Sequence, residues 1–266
     1  MSKLQARTIA DFGEQWTAYP DSEGFFGSVE LFNDIFHPLL SASQVCGLDV
    51  AEIGAGNGRF VNVLAEAGAA RIIAVEPSAA IRVLEATTRK HRQRITYLNV
   101  TGDRLPASGD LDYVFIIGVL HHIPEPDPVV AAAFAALKPG GKLAVWLYGR
   151  EGNSLYLVLI HVLWTLTRRL PHRLLEWLVA ALYPVFWCYM TLCRWLPLPL
   201  AAYIRRVILP LTPAKRRLVI YDQLNPAYAK YYTRQEAYDA LARHGFKDVQ
   251  LHHRHGYSWA VAGTRP

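Results

Sequence analysis

Between residues 48 and 148, short apolar runs alternate with stretches that read as helices. The runs at 48–53, 71–75, 95–99, 111–117 and 142–148 are strand candidates, and right-handed β-α-β crossovers turn such an alternation into a parallel sheet covered on both faces. Helix punctuation agrees with this reading. Ser78 stands where it can cap a helix after Pro77, and Asp127 followed by Pro128 opens an alanine-rich helix that ends before the chain reversal Pro139-Gly140-Gly141. Beyond residue 232 the pattern resumes with the capping box Thr233-Arg234-Gln235-Glu236. Gly245-Phe246 and apolar runs around 249–251 and 259–262 follow. The prediction is an α/β fold with a seven-stranded, mostly parallel sheet and helices on both faces. Residues 41–149 form its core, and residues 233–266 supply the last helix and two strands.

The stretch 150–232 interrupts this plan. Residues 155–166 and 174–193 are apolar nearly all round, with Trp164, Trp177, Phe186, Trp187 and Trp195 along or beside them and arginines at their ends. A helix apolar on every face is buried in protein or in lipid. The second run is 20 residues long between Arg173 and Arg194, enough on paper to cross a bilayer. A single crossing would separate the C-terminal elements from the sheet they complete, and 155–166 is too short to bring the chain back. Glu176, Pro184 and the flanking arginines weaken spanning further. The expected form is a helical lid over the ligand site. Its 155–206 hairpin either touches a membrane surface peripherally or completes a core or a homodimer contact.

The segment Val50-Ala51-Glu52-Ile53-Gly54-Ala55-Gly56-Asn57-Gly58-Arg59-Phe60 carries the chemistry: an apolar strand ends in alternating glycines and opens a helix. Such glycines let the backbone reach positive φ and approach a ligand that a Cβ at Gly54 or Gly56 would block. The amides of the following helix then point at the pocket. Glu76 closes the run at 71–75, 20 residues past Gly56, where an acidic side chain grips ribose hydroxyls; helix capping is the competing reading. Arg59 occupies the place of the third glycine of a dinucleotide motif, so pyrophosphate would meet a side chain instead of bare backbone.

Together with Leu111-Asp112-Tyr113-Val114-Phe115, Gly118-Val119-Leu120-His121-His122-Ile123 and Leu137-Lys138-Pro139-Gly140-Gly141-Lys142-Leu143, the stretch Glu52–Gly58 resembles the motifs of class I S-adenosylmethionine-dependent methyltransferases of the ubiquinone/menaquinone methyltransferase-like kind, in the family's order. The resemblance implies a Rossmann-like fold, S-adenosylmethionine as cofactor and methyl transfer as activity. It also implies that Glu52 opens the first motif, that Gly54, Gly56 and Gly58 line methionine and ribose, that Glu76 holds the ribose, and that Gly118 lies near the methionine. Family members commonly place Asp four residues before Leu-Pro to meet the adenine. Here Leu105-Pro106 puts Thr101 in that register, with Asp103 as the alternative. Residues 1–40 would form a helical flap bearing Phe12, Gly13, Trp16 and Tyr19, or a helix packed on the sheet edge.

Methyl transfer from a sulfonium is an in-line displacement, so the protein chiefly aligns the acceptor and, where needed, removes its proton. His121 and His122 follow the fourth strand as base candidates, against the commoner structural role of histidine. Tyr148, Glu151 and Asn153 follow the fifth and either order the acceptor or cap the insertion. Tyr221, with Tyr228, Tyr231 and Tyr232, either lines the acceptor pocket with Trp16 and Tyr19 or simply packs. His252, His253 and His255 lie on a strand whose alternation sends His253 and His255 one way and His252 the other, so no metal site is expected.

Charge adds one discrimination. The chain of 266 residues carries a net +6, but residues 150–217 hold ten Arg/Lys and two acids, a local +8, leaving about −2 elsewhere. Nucleic acid is disfavoured as partner, because Gly118-Val119-Leu120-His121 stands where base-flipping amino methyltransferases carry Asn/Asp-Pro-Pro-aromatic. Three cysteines without a ligand pattern and a polar start favour the cytoplasm, with the inner membrane face as the peripheral option. The leading expectation is methyl transfer to a small hydrophobic or membrane-derived acceptor: a quinone, isoprenoid, lipid or lipid-linked glycan. RNA methylation through the basic insertion and non-catalytic cofactor binding are the alternatives.

Overall fold

The computed structural model describes residues 2–20, 24–154, 156–158, 160, 164, 172–224 and 228–266. The chain divides into one unit of Met1–Glu23, Gly27–Gly152 and Tyr228–Pro266 and a second of Gly24–Phe26 and Asn153–Ala227.

The first unit opens with two helices, α1 (Lys3–Ala18) and α2 (Val29–Phe36). The alternation then follows: β1 (Asp49–Ile53), α3 (Arg59–Glu66), β2 (Arg71–Val75), α4 (Ile81–Thr87), β3 (Ile95–Leu98), β4 (Leu111–Ile117), α5 (Asp127–Ala136) and β5 (Leu137–Tyr148). Helix α8 (Arg234–Ala242) and strands β6 (Lys247–Arg254) and β7 (Ser258–Thr264) complete it. The sheet has the order β3-β2-β1-β4-β5-β7-β6, with β7 antiparallel to both its neighbours and the remaining pairs parallel. The fold is therefore the α/β arrangement expected, with seven strands. Strand β1 lies between β2 and β4, where the order of connections reverses and the carboxyl ends of strands leave a crevice for a ligand.

Local chemistry accounts for the elements. Four of the five residues of β1 and of β2 are buried, as strands covered on both faces require. Thr233 and Glu236 form the reciprocal capping box at the start of α8. Strand β5 begins earlier than predicted, because Leu137 pairs with Leu111 across a register shift. Ser78 does not cap α4: its hydroxyl accepts from the Ala80 N–H and donates to Glu76, and the helix starts at Ile81. The alternation of β6 stops at Arg254, because His255 adopts φ 50° and leaves the strand. His253 stacks on Trp259 at 4.2 Å between centroids, while His255 turns to Asp34. Among the described residues no group of three or more His, Cys, Asp and Glu could hold a metal ion.

Helix α2 seats Phe32 and Phe36 edge-on against Phe115 of β4, at 5.5 and 6.0 Å. Its other fastening is polar. Arg254, 2% exposed, donates from Nε to the carbonyl (3.1 Å) and the carboxylate (3.0 Å) of Asp34, while His255 Nε2 lies 2.7 Å from the other carboxylate oxygen. Burial pushes the Asp34 carboxyl up, but the Arg254 charge and the hydrogen bonds from Arg254 and His255 outweigh it and hold the group below the ordinary carboxylate range.

In the second unit, α6 (His172–Leu192) packs on α7 (Pro213–Leu224), with a short helix Ala201–Tyr203 and a π turn Ile204–Ile208 between them. The guanidinium of Arg217 lies 5.5 Å over the ring of Tyr183, and Arg216 donates to the carbonyls of Ile208 and Leu209. Most of the helix expected at 155–166 lies outside the described residues. Among the described residues no helix is long and apolar enough to cross a membrane.

Asp34→Asn should lower stability at neutral pH by about 2 kcal/mol, since it leaves the buried Arg254 charge uncompensated while Asp34 itself is partly open to solvent. A carboxylate with a depressed folded pKa stabilises above its unfolded pKa and loses that contribution as pH falls through the folded value. Chemical denaturation from neutral to acid pH should therefore show a smaller acid-side loss in the variant than in the parent.

Candidate active site

The turn after β1 is built so that backbone can lie against a ligand. Gly54 and Gly56 have φ of 77° and 54°, and a Cβ on them would come within 2.4 Å of Val119 Cγ2 and 3.0 Å of Trp16 Nε1. The N–H groups of Gly54 and Ala55 both donate to the carbonyl of Val75, which ties the turn to the end of β2. Gly58 serves packing instead. A Cβ there would meet Thr88, Leu84 and Thr87, so this glycine seats α3 against α4.

These residues border a cleft of about 940 Å³, a volume that includes space open to solvent. Its floor comes from the ends of β1 and β4, through Glu52, Gly54, Gly56, Gly118 and Val119. One wall is α1, which presents Gln5, Thr8, Ile9, Phe12 and Trp16. That spacing of three, four and seven residues lies on one helical face. Gly13 lets the helix sit there, since a Cβ would stand 2.8 Å from Ser78 Cβ. Thr101, Gly102 and Val129 close another side.

Two carboxylates dominate the electrostatics. Glu76 accepts from the Gly56 N–H (2.9 Å) through one oxygen and from the Ser78 N–H (3.0 Å) and hydroxyl through the other. Three of the roughly four acceptor positions of a carboxylate are thereby taken. Glu76 locks the glycine turn as well as bordering the cleft. Glu52 is buried, borders the cleft and has one oxygen, Oε2, without a hydrogen-bond partner. Burial pushes its carboxyl up to about 8; the Arg59 charge works against this and the Glu76 charge adds to it. Arg59 also borders the cleft, with its guanidinium 4.4 Å over the ring of Phe60.

The two histidines are separated by their surroundings. His122 borders the cleft, 4.7 Å from the ring of Phe12, and its Nδ1 lies 2.8 Å from the carbonyl of Tyr228. A carbonyl only accepts, so this contact places the proton on Nδ1 and makes Nε2 the basic nitrogen of the neutral ring. His121 is fully buried and stacks on Tyr148 at 3.8 Å, and neither of its ring nitrogens has a hydrogen-bond partner among the described residues. Burial, then the charge of His122, hold it well below the usual histidine range. It is a packing group at neutral pH.

Of the residues marked out for the cofactor, the cleft gathers Glu52, Gly54, Gly56, Glu76, Thr101 and Gly118 but not Gly58 or Asp103. Asp103 is exposed and pairs with Arg104 at 3.8 Å. Of the acceptor and catalytic candidates, Trp16 and His122 border the cleft; Tyr19, His121 and Tyr148 do not. Glu151 has a structural role, accepting from the Arg234 N–H (2.8 Å) at the start of α8 and from Trp259 Nε1 (3.3 Å). Asn153 is buried in the second unit, and the side chain of Tyr221 lies outside those described. Sequence reasoning missed Gln5, Thr8 and Ile9, whose helical spacing with Phe12 and Trp16 was the available signal, and Arg59 and Val119 as lining residues.

Residues 51–145 match the family model described as a methyltransferase domain. An uncharacterized methyltransferase of Mycobacteroides abscessus is 32% identical over 50% of this chain and 55% of its own length. A ubiquinone biosynthesis O-methyltransferase of Methylococcus capsulatus is 25% identical over 57% of this chain and 65% of its own. The match thus spans between about half and two-thirds of these relatives. In fold, the chain is similar to magnesium protoporphyrin IX methyltransferase (ChlM) from Synechocystis PCC 6803 with bound SAM, at a TM-score of 0.56 and 13% identity, covering 100% of this chain and 99% of that one. The glycine turn and the acidic residue at the end of β2 both lie within the stretch that matches the methyltransferase domain.

Proposed function

We propose that this protein transfers a methyl group from S-adenosylmethionine to a small hydrophobic or membrane-derived acceptor, such as a quinone, an isoprenoid, a lipid or a lipid-linked glycan. The observation that carries this reading is a single cleft where a Cβ-free backbone turn and two carboxylates meet an apolar wall of Phe12, Trp16, Val119 and Ile123. The residues fit the cofactor. Gly54 and Gly56 leave room for it, Glu76 keeps an acceptor position for ribose hydroxyls, and the unpartnered Oε2 of Glu52 suits a cationic group. When bound, the cofactor supplies an activated methyl on a sulfonium. Phe12 and Trp16 exclude water beside it, and His122 Nε2 accepts the proton of an acceptor hydroxyl. The similarity to ubiquinone biosynthesis O-methyltransferases supports a quinone-like acceptor and an oxygen nucleophile.

Calorimetric titration with S-adenosylmethionine should show Glu76→Ala binding more weakly by about 1.5–3 kcal/mol, the range for hydrogen bonds to a charged group. Unchanged affinity would remove Glu76 from the site.

Glu52 gives a pH signature. Its folded pKa, raised to about 8 from an ordinary 4.5, makes the ligand-free protein lose stability as pH climbs between those values. Glu52→Gln stays neutral throughout, so its melting temperature relative to the parent should rise over that interval and level off above it. A pH-independent difference would contradict a buried, protonated Glu52.

The activity itself is tested by incubating the protein with methyl-labelled S-adenosylmethionine and host-cell extract, then partitioning the label. Label in organic solvent is expected. Label confined to precipitated macromolecules would favour RNA methylation by the basic segment, and no transfer to any fraction would favour cofactor binding without catalysis.

A further inference from the structure

We propose that the second unit docks the protein on a lipid surface bearing anionic headgroups, with α6 lying along the surface. Residues 177–193 contain no charged side chain. A helix apolar all round calls for cover all round, yet among the described side chains α6 and the turn after it bury only Val179, Met190 and Cys193, along a single stripe. Large apolar side chains stand open beside that stripe: Trp177 is 77% exposed, Val185 67%, Trp187 51% and Trp195 83%. Soluble surfaces seldom leave so many large apolar side chains together, and contiguous patches of this kind mark an interface.

The charge identifies the occupant. Residues 153–227 hold nine Arg/Lys against Glu176 and Asp222, a net of +7. Exposed Arg194 adjoins Trp195, and Arg205 donates to the carbonyl of Cys193 at 3.2 Å, so basic groups border the apolar face where α6 ends. A second copy of the chain would bring one segment of net charge +7 against another. An anionic headgroup layer supplies the missing countercharge, while its boundary with the acyl chains takes indole rings, apolar on their faces and polar at one edge. With no described helix able to span, the geometry is that of an in-plane helix whose apolar face enters the boundary layer. The inference rests on the surface of this unit alone and stands whether or not the methyl acceptor is a lipid.

Flotation of the full chain with vesicles tests it, using phosphatidylcholine alone or with phosphatidylglycerol added. The protein should float with the anionic vesicles, less as salt is raised. Trp177→Ser/Trp187→Ser/Trp195→Ser should remain in the unbound fraction while keeping its thermal transition, since all three side chains are exposed. Arg194→Gln should reduce partitioning to anionic vesicles about fivefold, the worth of one basic residue near such a surface. Absence of flotation, equal binding to both vesicle types, or undiminished binding by the tryptophan variant would overturn the proposal. So would a solution dimer that fails to float and that the tryptophan variant converts to monomer, an outcome that would give the face to a second copy.

Discussion

The site hangs on the contact between the Glu76 carboxylate and the N–H of Gly56. Left-handed backbone at Gly54 and Gly56 leaves amides pointing away from regular ladders, and a buried amide needs an acceptor. Glu76 supplies one from the end of the neighbouring strand. It can do so because the parallel pairing of β1 and β2 brings Ile53 opposite Val75. The Ser78 hydroxyl holds the other carboxylate oxygen, and the close approach of Gly13 sets α1 on Ser78. Helix α1, acidic residue and glycine turn are thus one mechanical unit, and a residue that reads as a ligand-binding group is also what shapes the turn.

Physical reasons separate what was legible in the chain from what was not. The strands were readable because burial on both faces makes them continuous apolar runs, and Gly54 and Gly56 because only a close approach demands glycine at both. The wall from α1 was harder: Gln5 and Thr8 are polar, so the stripe they share with Ile9, Phe12 and Trp16 carries little apolar signal. His121 and His122 are identical in sequence terms and diverge only in three dimensions, where one is sealed under Tyr148 and the other borders the cleft. The fastening of Arg254 to Asp34 joins residues 220 positions apart, which no local pattern encodes. Glu151 likewise accepts from the Arg234 N–H at the start of α8, 83 positions away, a contact that no local pattern shows.

The two carboxylates at the cleft show how environment divides identical chemistry. Glu76 is surrounded by donors, while Glu52 is buried with an oxygen unmet. In the ligand-free molecule Glu52 keeps its proton at neutral pH, so the cleft floor carries less negative charge than its composition suggests. A cation arriving there would favour release of that proton, which couples binding to acidity without any titrating histidine.

The position of the second unit in the chain carries a consequence for synthesis. Strand β5 is complete at Tyr148, but its antiparallel neighbour begins at Ser258, so the whole apolar, basic segment is made before the sheet can close. Until then β5 is an open edge strand, the kind of template that recruits other chains. During the same interval α6, apolar on every side, leaves the ribosome with only part of its surface destined for cover. Long-range pairing of this sort is slow to form and exposed while it waits. The arginines flanking the segment carry like charge, which opposes association between such segments of neighbouring chains while the last two strands are still to come.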